Sequence, residues 1–248
     1  MKISKISLIF KKAAFPAIIT IISLVLFIGI YLFVTMTVIK PYYLVGLIFA
    51  VPFVFFGIIT FFTVIGKLRI ITSSIIIVIL IFILGSASLF AFTFIALDAA
   101  TTTTTDIDKY ERVLKLTGYP NNPLIEYFPD KIPDNAKGIV FSYNLAVLQG
   151  GEIFSLKFET NSNFINNYID ELSKKAKWIG KSSENQAEEN CIFSGVFNIL
   201  GYTNLPEDFT IYLVHSKPYR PNNWNHGELS LLAISKDRNE IIFLAEDW

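Results

Sequence analysis

Cysteine, histidine and, over the first third of the chain, acidic side chains are what this sequence lacks. One cysteine, Cys191, stands in 248 residues, so no intramolecular disulfide can form and whatever folds must hold through its own core. Cys191 itself reads as a reduced, semi-buried side chain, the usual habit of an isolated cysteine. Two histidines, His215 and His226, form no HExxH or other dense metal motif. GxSxG, SxxK, Walker and GxGxxG patterns are all missing, so the common nucleophile and phosphate-cradling signatures are not present. No acid precedes Asp98, and residues 1–98 carry a net charge of +6 against −6 for residues 99–248, so the overall zero is a cancellation. An acidic second part with scattered lysines excludes nucleic acid as a partner.

What the first part does contain is three uncharged apolar runs, at about residues 13–39, 41–66 and 70–97. At ~1.5 Å per residue each is long enough, as a helix, to cross a hydrocarbon core of ~30 Å. The first follows Lys2, Lys5, Lys11 and Lys12 but is too long for a signal peptide and meets no small-x-small cleavage site before Lys40, so it reads as a retained helix with Pro16 near its first turn. The second begins with Tyr42 and Tyr43, side chains that favour the membrane interface, and Pro52 in its interior predicts a kink. Small residues recur on one helical face in the second run (Gly46, Ala50, Gly57) and in the third (Ser74, Gly85, Ser88), the pattern that lets membrane helices approach closely. Between Ala13 and Leu97 the only charges are Lys40, Lys67 and Arg69, all at loop positions. Ion pathways are marked by charges within the spans; three spans without them read as an anchor or partner-binding bundle. Loop charges stand six against one, which predicts a cytoplasmic amino terminus and an extracytoplasmic remainder by the positive-inside rule.

Residues 99–118 read as a threonine-rich tether and a short helix, capped by Thr105 and Asp108 and stopped by Gly118. Four prolines between Tyr119 and Lys137 predict an irregular connection. Residues 119–248 then read as an α+β domain, an antiparallel sheet packed on one main helix. IVFSYN and IFSLKFE are strand-like, and the second alternates Phe154, Leu156 and Phe158 with Ser155, Lys157 and Glu159, which predicts one buried and one wet face. Gly150-Gly151 between them suits a turn. Residues 161–180 have the periodicity of an amphipathic helix, with Ser162 or Asn163 as cap, Ile165, Ile169, Leu172 and Ala176 as inner stripe, and Gly180 as end. CIFSGVFNIL, FTIYLVHS, ELSLLAIS and EIIFLAED read as further strands, the last two joined by a KDRN hairpin whose Asn239 suits a left-handed conformation.

YFPDKIPDNAK (127–137), LQGGEIFSLKFE (148–159), SKPYRPNNWNHGE (216–228) and EIIFLAEDW (240–248) resemble segments of uncharacterised membrane-bound proteins of low-GC Gram-positive bacteria. The resemblance covers roughly the last 120 residues and leaves the spans unmatched. It implies a bacterial plasma membrane and an outward-facing domain, and it brings no activity and no site residues with it.

The richest candidate binding surface is the loop between two strands that gathers Tyr219, Arg220, Asn223, Trp224, His226 and Glu228: flat rings to stack a ligand and polar groups to orient it. His215, His226 and Glu228 together would make a sufficient zinc set with one open position. Three readings follow: a membrane-anchored binding module, for which no cofactor is expected; a metal-dependent surface hydrolase; and an accessory subunit acting through its spans. The partners these imply are the lipid bilayer and either another membrane protein or a cell-wall component.

Overall fold

The computed structural model describes residues 5–146, 151–181, 197–217 and 227–247, and its contacts fall into two compact units, Met1–Ala99 and Ala100–Trp248. Three helical stretches of the first unit, Ile9–Met36, Tyr43–Val64 and Ile70–Thr101, are long and apolar enough to cross a membrane. Large apolar side chains are exposed on all three; Phe82, for example, is 72% exposed.

Helix α1 (Lys5–Met36) is broken at Ala13, where φ is −149° and ψ 49°. Helical geometry restarts after that break, so Pro16 lies in a first turn, where its missing N–H costs nothing. The second stretch is not one helix. A single turn, α2 (Tyr43–Gly46), passes through a 3-10 turn (Leu47–Ala50) into α3 (Val51–Val64), with Pro52 in the first turn of α3. The irregularity predicted at Pro52 is thus taken up by the tighter turn ahead of it. Helix α3 runs back along α1: Thr20 Oγ1 donates to the Pro16 carbonyl at 2.9 Å, which leaves it to accept from Thr60 Oγ1, also at 2.9 Å. Helix α4 (Ile70–Thr101) carries Asp98 near its end, and the Tyr42 hydroxyl donates to that carboxylate.

In the second unit a 3-10 turn (Ile107–Lys109) leads into the short helix α5 (Tyr110–Leu116), and it is Asp106, rather than Thr105, that caps this turn, its carboxylate accepting from Asp108 N at 3.1 Å. Gly118 ends α5 at φ +91°. The irregular connection that follows is held by the Tyr110 hydroxyl, which donates to the Pro129 carbonyl at 2.6 Å.

Among the described residues six antiparallel strands form one sheet in the order β1-β2-β6-β5-β4-β3: β1 Lys137–Asn144, β2 Glu152–Glu159, β3 Trp178–Gly180, β4 Thr210–Lys217, β5 Glu228–Ser235 and β6 Glu240–Asp247. Helix α6 (Ser162–Lys175) connects β2 to β3 and is capped by Asn161, whose side chain accepts from Phe164 N at 2.8 Å; Ser162 and Asn163 are already inside the first turn. It ends at Lys175 with Ala176 extended, so Gly180 belongs to strand β3 and does not stop the helix. The β5–β6 turn has Asn239 at φ +51°, the left-handed conformation its short polar side chain tolerates.

The predicted wet face does not exist as such. One face, carrying Phe154, Leu156, Phe158 and Phe243, packs against Tyr110, Phe128 and α6 through ring contacts at 4.6 to 5.9 Å. The other face carries Ile211, Leu213, Leu231, Ala233, Ile242 and Leu244, and residues 197–209 lie over it with Phe197, Leu200, Leu205 and Phe209 buried. Ser155 is fully buried, and Lys157 donates to the Leu200 carbonyl at 2.8 Å beneath this strap. The end of the predicted CIFSGVFNIL strand is therefore a 3-10 turn (Asn198–Leu200) within the strap; Cys191 and the rest of that segment to 196 lie outside the described residues, as does Gly150.

Candidate functional site

Strands β4, β5, β6 and β2 bring four charged residues into one row at an end of the sheet. Antiparallel register sets Glu152 beside Asp247, Asp247 beside Glu228, and Glu228 beside Lys217, all on one face. Like charges side by side repel, and the row is relieved from both ends. Lys217 Nζ donates to Glu228 Oε1 at 2.8 Å, and His215 Nε2 lies 3.0 Å from Glu228 Oε2. The lysine first, then the histidine, holds the Glu228 carboxyl below the usual range. At the other end the Tyr143 hydroxyl donates to Glu152 Oε1 at 3.0 Å. Burial, with Asp247 adding to it, nevertheless raises the Glu152 carboxyl.

Two residues of the sequence-derived set, His215 and Glu228, are thus joined here. Tyr219, Arg220, Asn223, Trp224 and His226 lie outside the described residues. Both oxygens of Glu228 are engaged by protein donors, so a metal there would have to displace Lys217 as well as the histidine. Among the described residues no group of three or more His, Cys, Asp or Glu side chains is placed to hold an ion. Ser230 stands across from His215 in the register. Its hydroxyl is sealed from solvent and has no hydrogen-bond partner among the described residues, so no substrate reaches it as a nucleophile.

A second site was invisible as a motif. The proline-rich connection and α6 line a half-open pocket of about 290 Å³, to which Tyr119, Tyr127, Phe164 and Tyr168 contribute beside Glu126, Asp130, Glu171 and Lys131. Its residues are scattered over 119–131 and 164–171, and only the fold joins them. The connection is preorganised: besides the bond from Tyr110, Asn122 Nδ2 donates to the Thr117 carbonyl at 2.9 Å while its Oδ1 accepts from Leu124 N at 3.0 Å. Burial, aided by the neighbouring phenol of Tyr119 and by Glu171 and Asp130, keeps Tyr168 protonated well above the usual phenol range.

In the first unit Gly46 lies against α1; a Cβ built there would meet Tyr31 at 3.1 Å and Val34 at 3.2 Å. Gly57 faces Thr20 more loosely, at 3.9 Å, and Ala50 is half-buried in the 3-10 turn. The Ser74 hydroxyl turns back to the Ile70 carbonyl at 2.8 Å. Gly85 has nothing within 4 Å of its Cβ position; with Ser88 it lines an apolar cleft of about 420 Å³ shared with α1 and α3.

Comparison of the chain with protein-family models, with curated proteins and with solved structures finds no match.

Proposed function

We propose that this chain is a bilayer-anchored binding protein whose sheet domain faces the outside of a bacterial plasma membrane. Three long apolar helices support the anchor, and the excess of lysine and arginine in the loops on one side supports the orientation. The observation that carries a binding role is the preorganised pocket of tyrosine rings and carboxylates beside α6. It is concave and mixed in polarity, and it sits on a helix and a pinned loop, as a small-molecule site requires.

Protease shaving of intact cells tests the display. Fragments from the 100–248 unit should be released while the helices stay with the membrane, and full protection of that unit in sealed cells would defeat the reading. A second reading, in which the spans work within a membrane complex, is favoured by the apolar cleft at Gly85 and Ser88. Replacing the three helices with an unrelated anchor separates the two: a binding module keeps its function after the exchange, whereas a subunit working through its spans loses it.

A further inference from the structure

The pocket beside α6 selects for one kind of ligand. Phenol faces carry the negative end of the ring quadrupole and attract cations, most strongly where water is partly excluded. Tyr119, Tyr127 and Tyr168 line the same cavity as Glu126, Asp130 and Glu171. With Lys131 as the one basic residue in the lining, the wall is net negative and disfavours anions. A bare divalent metal wants six or more oxygens converging at close range, and among the described residues no three carboxylate or imidazole side chains are placed to hold one. A weakly hydrated organic ammonium ion uses both parts of the wall.

The chain itself contains an example of this contact. Lys175 Nζ lies 5.3 Å from the centroid of Tyr127 and 2.8 Å from Glu171 Oε1, so an ammonium already rests between a ring and a carboxylate belonging to this lining. At about 290 Å³ the space is at the lower end of ligand pockets, the size of a small headgroup and too small for a folded peptide or an oligosaccharide.

We infer that this pocket binds an organic ammonium ion with short methyl or hydroxyethyl substituents, of the size of choline or ethanolamine. The inference rests on reading the second unit as a binding module and names what it binds.

Calorimetric titration of the full-length protein in a maltoside detergent with choline, and with its uncharged isostere 3,3-dimethylbutan-1-ol, tests it. Choline should bind at least about tenfold more tightly than the isostere. Tyr127→Ala should weaken choline by about three- to tenfold, and Glu126→Gln by a smaller factor. Lys175→Ala, which frees the ring and Glu171 from the internal ammonium, should strengthen it. Glu126 is exposed, so its variant keeps the fold and guards against misreading an unfolded Tyr127→Ala. Equal affinities for choline and the isostere, no heat from choline or ethanolamine, or a Glu126→Gln variant indistinguishable from the parent would each overturn the assignment. Repeating the titration in phosphatidylglycerol nanodiscs without and with phosphatidylcholine identifies the source: loss of choline binding when phosphatidylcholine is present points to a lipid headgroup, and retention to a free or wall-borne ammonium. Purified protein reports binding whatever its sidedness in the cell. A blank titration therefore overturns the ammonium site alone, and failed shaving overturns the outward display alone.

Discussion

Asp208 and Glu246 are both carboxylates of the sheet domain, and their surroundings drive them in opposite directions. Asp208 receives Arg238 Nε at 2.7 Å and Nη2 at 3.2 Å, and the Ser235 hydroxyl at 2.5 Å. This fork ties the strap over residues 197–209 to the β5–β6 turn, and chiefly through Arg238 it lowers the carboxyl to about 2 from 3.8. A depressed folded value stabilises above the unfolded one, so the contribution is present above about pH 4 and is lost as pH falls toward 2. Because the pair is largely solvated, Asp208→Asn should cost only about 1 kcal/mol at neutral pH in denaturant unfolding and nothing near pH 2. Glu246 is 5% exposed, set in register between Ile153 and Leu229, and burial raises its carboxyl to about 7 from 4.5. Here the unfolded chain ionises first, so stability falls as pH rises from 4.5 to 7 and then levels. The loss is on the order of 3 kcal/mol. Glu246→Gln should flatten that window in melts compared at pH 5 and pH 8.

At the scale of elements, the first two apolar stretches approach closely at Gly46. Gly46→Leu should push α2 off Tyr31 and Val34 and lower the thermal stability of the detergent-solubilised protein by several degrees, on the order of 1 to 3 kcal/mol of overpacking. Gly85→Leu, with nothing within 4 Å, should leave the melt unchanged. Both glycines fit the small-residue pattern in the sequence, so spacing alone could not rank them; rank depends on which neighbour faces each. The same distinction runs through the sheet domain. Strands β1, β2, β4, β5 and β6 and helix α6 were legible because period 2 and period 3.6 are local properties. The second covered face was not read, though β5 and β6 are near-continuous apolar runs, the mark of strands buried on both sides. Alternation in β2 masked it, because Ser155 and Lys157 are polar yet lie beneath the strap. Strand β3 was hidden because WIG follows a helix without a break in periodicity. The tyrosine pocket had no signal at all, being assembled from two segments some 40 residues apart.

The whole molecule divides its chemistry as it divides its contacts. A net +6 and the apolar stretches fall before residue 99, and a net −6 and the two-faced core fall after it. Every member of the strap core, Phe197 to Leu244, belongs to the second unit, so residues 100–248 expressed alone should be soluble and unfold in one cooperative transition by circular dichroism. Within that unit the strand order puts β6 between β2 and β5, bonded to both along its full length. Among the described residues the β1–β2 pair and the β3–β4–β5 group have no other link through the ladder, so before β6 arrives the sheet exists only as two halves. Residues 240–247 must therefore be available before residues 152–159 can find their second neighbour, a wait of some eighty residues of synthesis. Such distant pairing makes folding slow, and for that interval β2 presents an open apolar edge, which is when a chaperone would be needed and when misassembly would begin.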